Sequence, residues 1–536
     1  MLWQKETAHQ SSLYIDLCQS LPNHSKRVDE MYEKVQASLE TNKVFYVKSD
    51  EVAEEYWRRG NKKYGEKNWT EALENWNLSL CFAQKQSIFL GLAYGNRSSY
   101  FLTMKMFKNC LIDIELAIKN HYPPKMLAGL NKLKNKCVQS MRTEKDQSDS
   151  LHTHLDFEAN ANFSSLACMV EILYNSEYGR HIVATDDIEV GKTVMVEQSY
   201  LGESVREKYK TCIICLRTRR NLKPCLQCTK AMFCLDCEKS DLHRADCNFH
   251  LGPFATFLDT SLVRSIWMAK NAFQNVNQLI TIIEKMLANQ PLPPLSERQS
   301  KYQSFFNLCT NQNSEIKAQM IYLMHQKILK QPSMPTFFKT KGQKRFLMHL
   351  IYHHMMIIRN TTQTIRCRSI EGKQYIKSHQ LSITASYFNH SCVPNVCIIH
   401  ANGFINCVTI RPIRRNEQLF VTYIDNIDEM FPGKEDRQKV LQTRYNFQCD
   451  CALCTMNVAS ISMKQLQVDA DYKFIQSMFN TDSLAKGLYN RQQIELMKDK
   501  CCSFLTKNGW CVWSAETRHI AKVFCHLIRR LTLKFN

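Results

Sequence analysis

The pattern of apolar and polar positions divides the chain into helical and strand-rich stretches. Apolar residues at three- and four-residue spacing predict helices over about residues 28–140, 254–331 and 455–536. Short apolar runs that end at turns predict strands over 168–200 and 381–424. This order predicts an α+β fold, in which a β-rich core is interrupted by two insertions and flanked by helical segments.

The first helical stretch contains an internal repeat. Two Gly-Asn pairs, Gly60-Asn61 and Gly95-Asn96, lie 35 residues apart, and each pair is followed by a tyrosine. A period near 34 residues resembles tetratricopeptide repeats, in which small residues let paired helices approach closely. An ordinary helical bundle is the alternative, and both interpretations make this stretch a scaffold.

The composition indicates a soluble protein with an unusual number of cysteines. Apolar residues form 44% of the 536-residue chain, and 24 residues are cysteine. The N-terminal residues lack the order of a secretion signal, and the most apolar stretch, 348–358, is broken by three histidines. We therefore expect an intracellular protein without membrane spans, whose reduced cysteines are metal ligands or buried apolar side chains.

The densest group of cysteines lies in residues 212–247 and predicts two zinc sites. Cysteines separated by two residues can direct both thiolates at one tetrahedral ion. So short a segment with few large apolar residues requires metal binding to fold. The eight ligands that two closed sites need are Cys212, Cys215, Cys225, Cys228, Cys234, Cys237, His243 and Cys247.

A third group of cysteines supplies three ligands from one loop. In the sequence CDCALC these are Cys449, Cys451 and Cys454, and a closed tetrahedral zinc site needs a fourth ligand. Cys392, in the sequence NHSCVPN, is a candidate that lies 57 residues upstream of Cys449. Spacing alone leaves the identity of this partner open.

Three further segments carry a family resemblance. They are YGRHIVATDDIEVGKTVMVE at 178–197, SYFNHSCVPN at 386–395, and RPIRRNEQLFVTYID at 411–425, which RYNFQCDCALC follows. In this order, with a zinc segment between them and helical repeats before them, they resemble the SET and MYND domain-containing lysine methyltransferases. The resemblance covers roughly residues 50–455, and it implies methyl transfer from S-adenosylmethionine to a lysine side chain.

The resemblance implies a β-rich SET core that is split by a MYND zinc finger and by a helical insertion. The expected parts are tetratricopeptide-like repeats at 28–140, a linker at 141–165, the split SET domain at 166–425, the MYND finger at 212–247, the helical insertion at 250–345, a post-SET zinc segment at 426–455 and a C-terminal helical segment at 456–536.

The resemblance also implies how three zinc ions share the ligands. Because ligands interleave in a MYND finger, one ion is expected at Cys212, Cys215, Cys234 and Cys237. A second ion is then expected at Cys225, Cys228, His243 and Cys247, and a third at Cys392, Cys449, Cys451 and Cys454.

By the same resemblance, Tyr423 is the active-site tyrosine and Tyr445 lines the lysine channel. His181 stands where a second glycine is usual. A further cofactor-binding asparagine is expected after the His-rich helix, where Asn360 and Thr361 are alternative registers. The residues implied to bind S-adenosylmethionine are Tyr178, Gly179, Arg180, Asn389, His390, Tyr423 and Phe447.

We therefore expect a protein-lysine N-methyltransferase that acts on histone or non-histone proteins in the cytoplasm and nucleus. The alternative is a catalytically weak or inactive scaffold. Such a scaffold would recruit chromatin regulators or deacetylases through the MYND finger or the repeats. His181 and the open register at Asn360 favour the scaffold. Tyr423, the Asn389-His390 pair and Tyr445 favour the enzyme.

The charge of the chain bears on a third class of function, nucleic-acid binding. Lys and Arg exceed Asp and Glu by 20 residues, and the basic run LRTRRNLK lies inside the zinc segment. Basic loops of zinc modules are usually solvated, and no base-reading helix is predicted, so direct nucleic-acid recognition is disfavoured. Three zinc ions on eleven thiolates would lower the net charge to about +15.

Overall fold

The computed structural model describes residues 47–148, 154–205, 208–218, 220–247, 257–310, 316, 318–368, 374–424, 433–455 and 462–532. Internal contacts divide the chain into two units. The first unit contains residues 1–148, 208–214 and 219–359, and the second contains 149–207, 215–218 and 360–536. None of the described helices combines the length and the apolar character that crossing a membrane requires.

The described N-terminal part of the first unit consists of helices that pack in sequence. Ser49, Asn68 and Ser87 accept hydrogen bonds from backbone N–H groups in the first turns of successive helices. These polar side chains satisfy donors that a helix leaves unpaired, so they fix where each helix begins. The helices are α1 (Asp50–Gly65), α2 (Trp69–Phe82), α3 (Ile88–Thr103), α4 (Phe107–Lys119) and α5 (Leu127–Thr143).

The glycines of the internal repeat lie where this packing is closest. A Cβ atom at Gly60 would lie 2.5 Å from the Trp76 ring, and one at Gly95 would lie 2.5 Å from the Tyr122 ring. Asn61 accepts a hydrogen bond of 3.0 Å from the Trp76 indole. At both repeated glycines, a larger residue would therefore collide with a neighbouring aromatic ring.

A buried arginine joins α2, α3 and α4 to a strand of the zinc segment. The Arg97 guanidinium on α3 donates to both carboxylate oxygens of Asp113 on α4, at 2.6 and 2.8 Å. It also donates to Asn77 on α2 at 2.7 Å and to the carbonyl of Leu222 at 2.9 Å. Both charged side chains are fully buried. The cost of burying the two charges is offset by these four hydrogen bonds.

Further helices lie in residues 257–361. The last of them crosses the predicted boundary at residue 345, because buried apolar residues keep helical spacing from Leu347 to Ile358. These helices are α6 (Phe257–Ala272), α7 (Val276–Leu287), α8 (Glu297–Phe306), α9 (Ala318–Leu329), α10 (Met334–Phe337) and α11 (Lys341–Thr361).

The strands form several small sheets. A hairpin in the zinc segment belongs to the first unit, and the other strands belong to the second. They are β1 (Val170–Asn175), β2 (Gly179–Ala184), β3 (Thr193–Gln198), β4 (Leu201–Ser204), β5 (Leu222–Pro224), β6 (Met232–Cys234), β7 (Gln363–Arg368), β8 (Gln374–Leu381), β9 (Asn389–His390), β10 (Val396–Ala401), β11 (Phe404–Thr409) and β12 (Phe420–Val421).

Four strand pairings in the second unit position the residues of interest. Strands β1 and β2 form an antiparallel hairpin, with Asn175 opposite Gly179 at its closed end. Strand β11 pairs with both β10 and β3. Strand β9, which is the Asn-His pair, runs parallel to β12. Strands that are far apart in sequence therefore meet at residues 389–390.

Strands β7 and β8 have no counterpart among the predicted strands. They pair with each other, and β4 adds to β8 to complete a three-stranded sheet. Charged and polar residues interrupt both sequences, QTIRCR and QYIKSHQL. The alternation of apolar and polar positions in both strands is therefore weak, and their pairing with each other decides their conformation.

The C-terminal helices complete the core of the second unit. Ile399 and Val408, on β10 and β11, lie in one apolar cluster with Phe504 and Phe524, both of which are fully buried. The helices are α12 (Lys434–Tyr445), α13 (Ala452–Thr455), α14 (Lys464–Gln467), α15 (Ala470–Met478), α16 (Thr481–Ala485), α17 (Arg491–Asn508) and α18 (Ala515–Thr532).

Replacement of the buried arginine tests how the first unit is held together. We expect Arg97→Met to lower the free energy of unfolding by about 3–5 kcal/mol, because the Asp113 carboxylate stays buried without its partner. Arg58→Met is the control, since the Arg58 side chain is 71% exposed and pairs with Glu54 at the surface. Denaturant unfolding of both variants gives the comparison, and equal midpoints would contradict the assigned role.

Candidate functional site

The structure brings together the three predicted sets of zinc ligands. Within each set, the ligand atoms lie within 4.8 Å of one another. Their sulfur and imidazole donors are those that Zn²⁺ prefers, in the number that a closed tetrahedral site needs. The sets are Cys212, Cys215, Cys234 and Cys237; Cys225, Cys228, His243 and Cys247; and Cys392, Cys449, Cys451 and Cys454.

The second set is supported by a carboxylate that the sequence analysis did not identify. His243 directs Nε2 at Cys228, 3.4 Å from its sulfur, and Nδ1 at Asp246, 2.8 Å from its carboxylate. The Arg264 guanidinium on α6 donates to the same carboxylate at 2.7 Å and to the carbonyl of Ile213 at 3.3 Å. A carboxylate behind a ligating imidazole fixes its tautomer and its orientation.

Electrostatics keep that carboxylate charged. Burial acts to raise the pKa of Asp246, but the Arg264 guanidinium and His243 outweigh this effect and lower the pKa. Asp246 follows His243 by three residues, which was a local signal for this contact. Arg264 carried no such signal, because it lies on a separate helix.

In the third set, the distant Cys392 is a neighbour of the CDCALC loop. Its sulfur lies 3.9 Å from that of Cys449 and 3.6 Å from that of Cys454. Gln438 on α12 binds the same loop through its side chain, which donates to the Cys449 carbonyl at 2.6 Å and accepts from the Cys449 N–H at 2.9 Å. The NHSCVPN segment therefore supplies the fourth ligand, whose identity the spacing of the cysteines had left open.

An aromatic cluster lies beside this third set. The Tyr423 and Tyr445 rings are 4.8 Å apart, and Phe447 and His390 lie 6.4 and 5.4 Å from Tyr423. The Tyr423 hydroxyl donates to the carbonyl of Phe388 at 2.8 Å. These rings are partly buried against the cysteine cluster. The two tyrosines predicted for catalysis are therefore neighbours, and Phe447 is close to both His390 and Tyr423.

One imidazole connects the aromatic cluster to the cysteines. His390 Nδ1 accepts a hydrogen bond of 2.9 Å from the backbone N–H of Tyr423, and Nε2 lies 3.3 Å from the Cys392 sulfur. Burial lowers the pKa of His390 to about 4, so the ring is neutral at pH 7. Since Nδ1 accepts a hydrogen bond, the single ring proton is on Nε2, where it points to the Cys392 sulfur.

The closed end of the β1–β2 hairpin lies against the Asn-His pair. Asn175 accepts a hydrogen bond from the Tyr178 N–H at 2.7 Å, and Gly179 follows in the left-handed region with φ +62°. The Asn389 side chain donates to the Tyr178 carbonyl at 3.1 Å. Arg180 lies 5.0 Å above the ring of Tyr387. The segments predicted to bind cofactor are therefore adjacent.

His181 is accommodated inside the same hairpin. It is 6% exposed, and its Nδ1 lies 3.0 Å from the Gly179 carbonyl oxygen. Its ring meets that of Tyr178 edge to face at 5.9 Å. Asn360 and Thr361, the two alternative cofactor residues, are the last residues of α11.

Asn395, the last residue of NHSCVPN, is a further residue of the site for which no role was predicted. Asn395 is fully buried, and its side chain accepts from the N–H of Phe420 at 2.6 Å and donates to the carbonyl of Gln418 at 2.8 Å. These bonds hold the residues that lead into β12, which pairs with Asn389-His390. The sequence signal for this role was the position of Asn395 at the end of the motif. A buried asparagine needs hydrogen-bond partners for its amide group.

Counting bound metal tests the three clusters. We expect three zinc ions per chain in protein purified without chelators, and two in a Cys392→Ser variant, because a serine hydroxyl is a poor zinc ligand. Cys168→Ser is the control, since Cys168 is exposed and lies outside the three clusters. Elemental analysis by mass spectrometry gives the number, and three ions in both variants would exclude Cys392 as a ligand.

The comparisons with known proteins agree with this arrangement. Residues 179–424 match the SET domain family. Over 77% of its length the chain is 21% identical to protein-lysine N-methyltransferase SMYD4 of Danio rerio. Over 52% it is 22% identical to N-lysine methyltransferase SMYD2 of Homo sapiens, and 25% identical to SET domain and MYND-type zinc finger protein 6 of Schizosaccharomyces pombe.

The matches cover only part of each relative. The chain spans 66%, 58% and 50% of the lengths of these three proteins, respectively, which is less than two thirds of each. All three names contain a SET or SMYD designation, and the SET match includes Asn389, His390 and Tyr423. Residues 179–424 therefore match the SET domain family, and the chain is similar to SET and MYND domain-containing lysine methyltransferases.

Proposed function

We propose that the protein is an S-adenosylmethionine-dependent protein-lysine N-methyltransferase. The observation that carries this proposal is the aromatic cluster of Tyr423, Tyr445 and Phe447, which adjoins both the Asn389-His390 pair and a metal-binding loop. The matched relatives carry lysine methyltransferase names, which supports the same reaction class.

The reaction requires an unprotonated lysine amine. Free lysine titrates near pH 10.4, so holding it neutral at pH 7 costs about 4.6 kcal/mol. Partly buried rings such as Tyr423 and Tyr445 can desolvate an ammonium group and so lower its pKa. S-adenosylmethionine, when bound, supplies a methyl group on a cationic sulfonium.

The hydroxyl of Tyr423 is oriented for a role in positioning the amine. It donates its proton to the Phe388 carbonyl, and this bond fixes the direction of the oxygen lone pairs, which can accept from an N–H of the substrate amine. Tyr445 donates to the Tyr423 carbonyl at 3.5 Å, which restrains the second wall of the channel. Orienting the reacting groups in this way can account for a large part of the rate enhancement of a displacement reaction.

The residues that would hold the cofactor come from three segments. Gly179 permits close backbone approach, and Arg180 and Asn389 flank it. Phe447 and Tyr423 offer aromatic surface next to His390. The proposed cofactor-binding set is Tyr178, Gly179, Arg180, Asn389, His390, Tyr423 and Phe447.

One observation favours a second candidate function, that of a catalytically weak or inactive scaffold. The buried His181 fills space within the hairpin proposed to bind the cofactor. A scaffold of this kind would act through protein partners, such as chromatin regulators or deacetylases, at the zinc segment or the N-terminal helices.

For the enzyme, lysine-bearing proteins in the cytoplasm and nucleus are the proposed substrates.

Cofactor binding separates the two functions. We expect isothermal titration calorimetry to detect S-adenosylmethionine binding by the zinc-loaded protein, because the hairpin and the Asn-His pair are already adjacent. Absence of binding by folded protein with three zinc ions would exclude the enzyme and favour the scaffold. Circular dichroism and metal content verify that each sample is folded and loaded.

Replacement of the proposed active-site tyrosine tests the mechanism. We expect Tyr423→Phe to retain cofactor binding but to lose about 100-fold in labelled methyl transfer to core histones and lysate proteins, because the amine loses its positioning oxygen. Tyr472→Phe, a partly buried tyrosine in the C-terminal core, is the control and should retain transfer. Undiminished transfer by Tyr423→Phe would remove the role assigned to its hydroxyl.

A further inference from the structure

A buried guanidinium lies against the third cysteine cluster. Arg437, in the first half of α12, is 5% exposed and donates to the Cys454 sulfur at 3.7 Å. Burial acts to lower the pKa of Arg437, but its hydrogen bonds and attraction to Cys454 and Cys392 outweigh this effect and raise it. The side chain therefore interacts with sulfur atoms from both parts of the cluster.

Charge explains why a guanidinium is suited to this position. Four thiolates around one Zn²⁺ carry a net charge of −2, which is costly to bury without compensation. Arg518 on α18 is a second cation nearby, since Arg437 contributes to lowering the pKa of Arg518 after burial. Two neighbouring guanidinium groups repel each other, and an anionic metal cluster beside Arg437 would reduce that repulsion.

The same helix carries a wall of the proposed lysine channel. Three side chains of α12, Arg437, Gln438 and Leu441, contact the cluster or its loop. Tyr445 is the last residue of α12, and Asn446 ends the helix in the left-handed region with φ +59°. The position of Tyr445 against Tyr423 therefore depends on how firmly α12 is held to the cysteines.

We propose that Arg437 is a positioning residue that neutralises the third zinc cluster and holds α12, and with it Tyr445, in place. The effect on Tyr445 rests on the proposed methyltransferase function, whereas the effect on the metal does not. Arg437 acts as an outer partner of two sulfur ligands, and loss of such partners typically costs roughly 10- to 100-fold in metal affinity.

Zinc release to a chromogenic chelator tests the metal part. In Arg437→Met we expect one third of the released zinc to appear about tenfold faster or more, with the other two thirds unchanged. The control is Lys439→Met, because Lys439 is an exposed cation on the same helix. Unchanged release in Arg437→Met, or equal acceleration of all three ions, would overturn the proposal.

A conservative variant separates the charge from simple packing. Arg437→Lys keeps the cation, so we expect release within about threefold of the parent protein. In cobalt-substituted protein, Arg437→Met should shift the thiolate-to-metal absorption band, and Arg437→Lys should restore it. If Arg437→Lys does not match the parent protein in both the rate of zinc release and the absorption band, the charge argument is wrong. This comparison also decides where Arg437→Met itself does not fold, because Arg437→Lys is compared directly with the parent protein.

Methyl transfer then tests the consequence for the channel. If the zinc and cobalt results hold, Arg437→Met at saturating zinc should lower kcat with little change in S-adenosylmethionine affinity, since Tyr445 belongs to the lysine channel. A parent protein without any transfer would refute the proposed function and leave the metal result standing. Normal kcat in a variant with fast zinc release would refute the link to Tyr445.

Discussion

The convergence of four sulfur atoms from two distant segments is the constraint on which the candidate site depends. Cys392 follows the Asn389-His390 pair, and the other three cysteines follow Tyr445 and Phe447 directly. A tetrahedral ion requires these sulfurs to converge, so it also requires the flanking residues to converge. The aromatic cluster needs little apolar driving force of its own, because metal binding supplies free energy for folding.

Buried arginines serve a related purpose in each unit. Arg97 joins three helices to the zinc segment, Arg264 supports a ligating histidine, and Arg437 lies against thiolates. Each guanidinium has several donors in a planar arrangement, so one side chain can satisfy partners on different elements. At Arg97 and Arg264, a lysine would place its charge at one point and would leave some of these partners unpaired.

The sequence predicted best what is local. Cys449, Cys451 and Cys454 lie within six residues, so their common role follows from spacing, whereas Cys392 required a family resemblance. Arg264 and Arg437 carried no signal of their contacts, because their partners belong to elements whose packing no periodicity describes. Strands β7 and β8 were not predicted for the same reason, since polar residues interrupt both and tertiary pairing decides their conformation.

His390 shows why metal site and proposed cofactor site form one structure. Its ring has one acceptor and one donor when neutral, and the Tyr423 N–H and the Cys392 sulfur use both. A charged ring would lose the acceptor and leave a buried backbone donor unpaired, at a cost of about 1–3 kcal/mol. If the His390 ring were flipped, its acceptor nitrogen would point at the Cys392 sulfur instead. The neutral, fixed orientation is therefore determined by the backbone of Tyr423 and by the cysteine together, so neither the aromatic cluster nor the metal loop can rearrange alone.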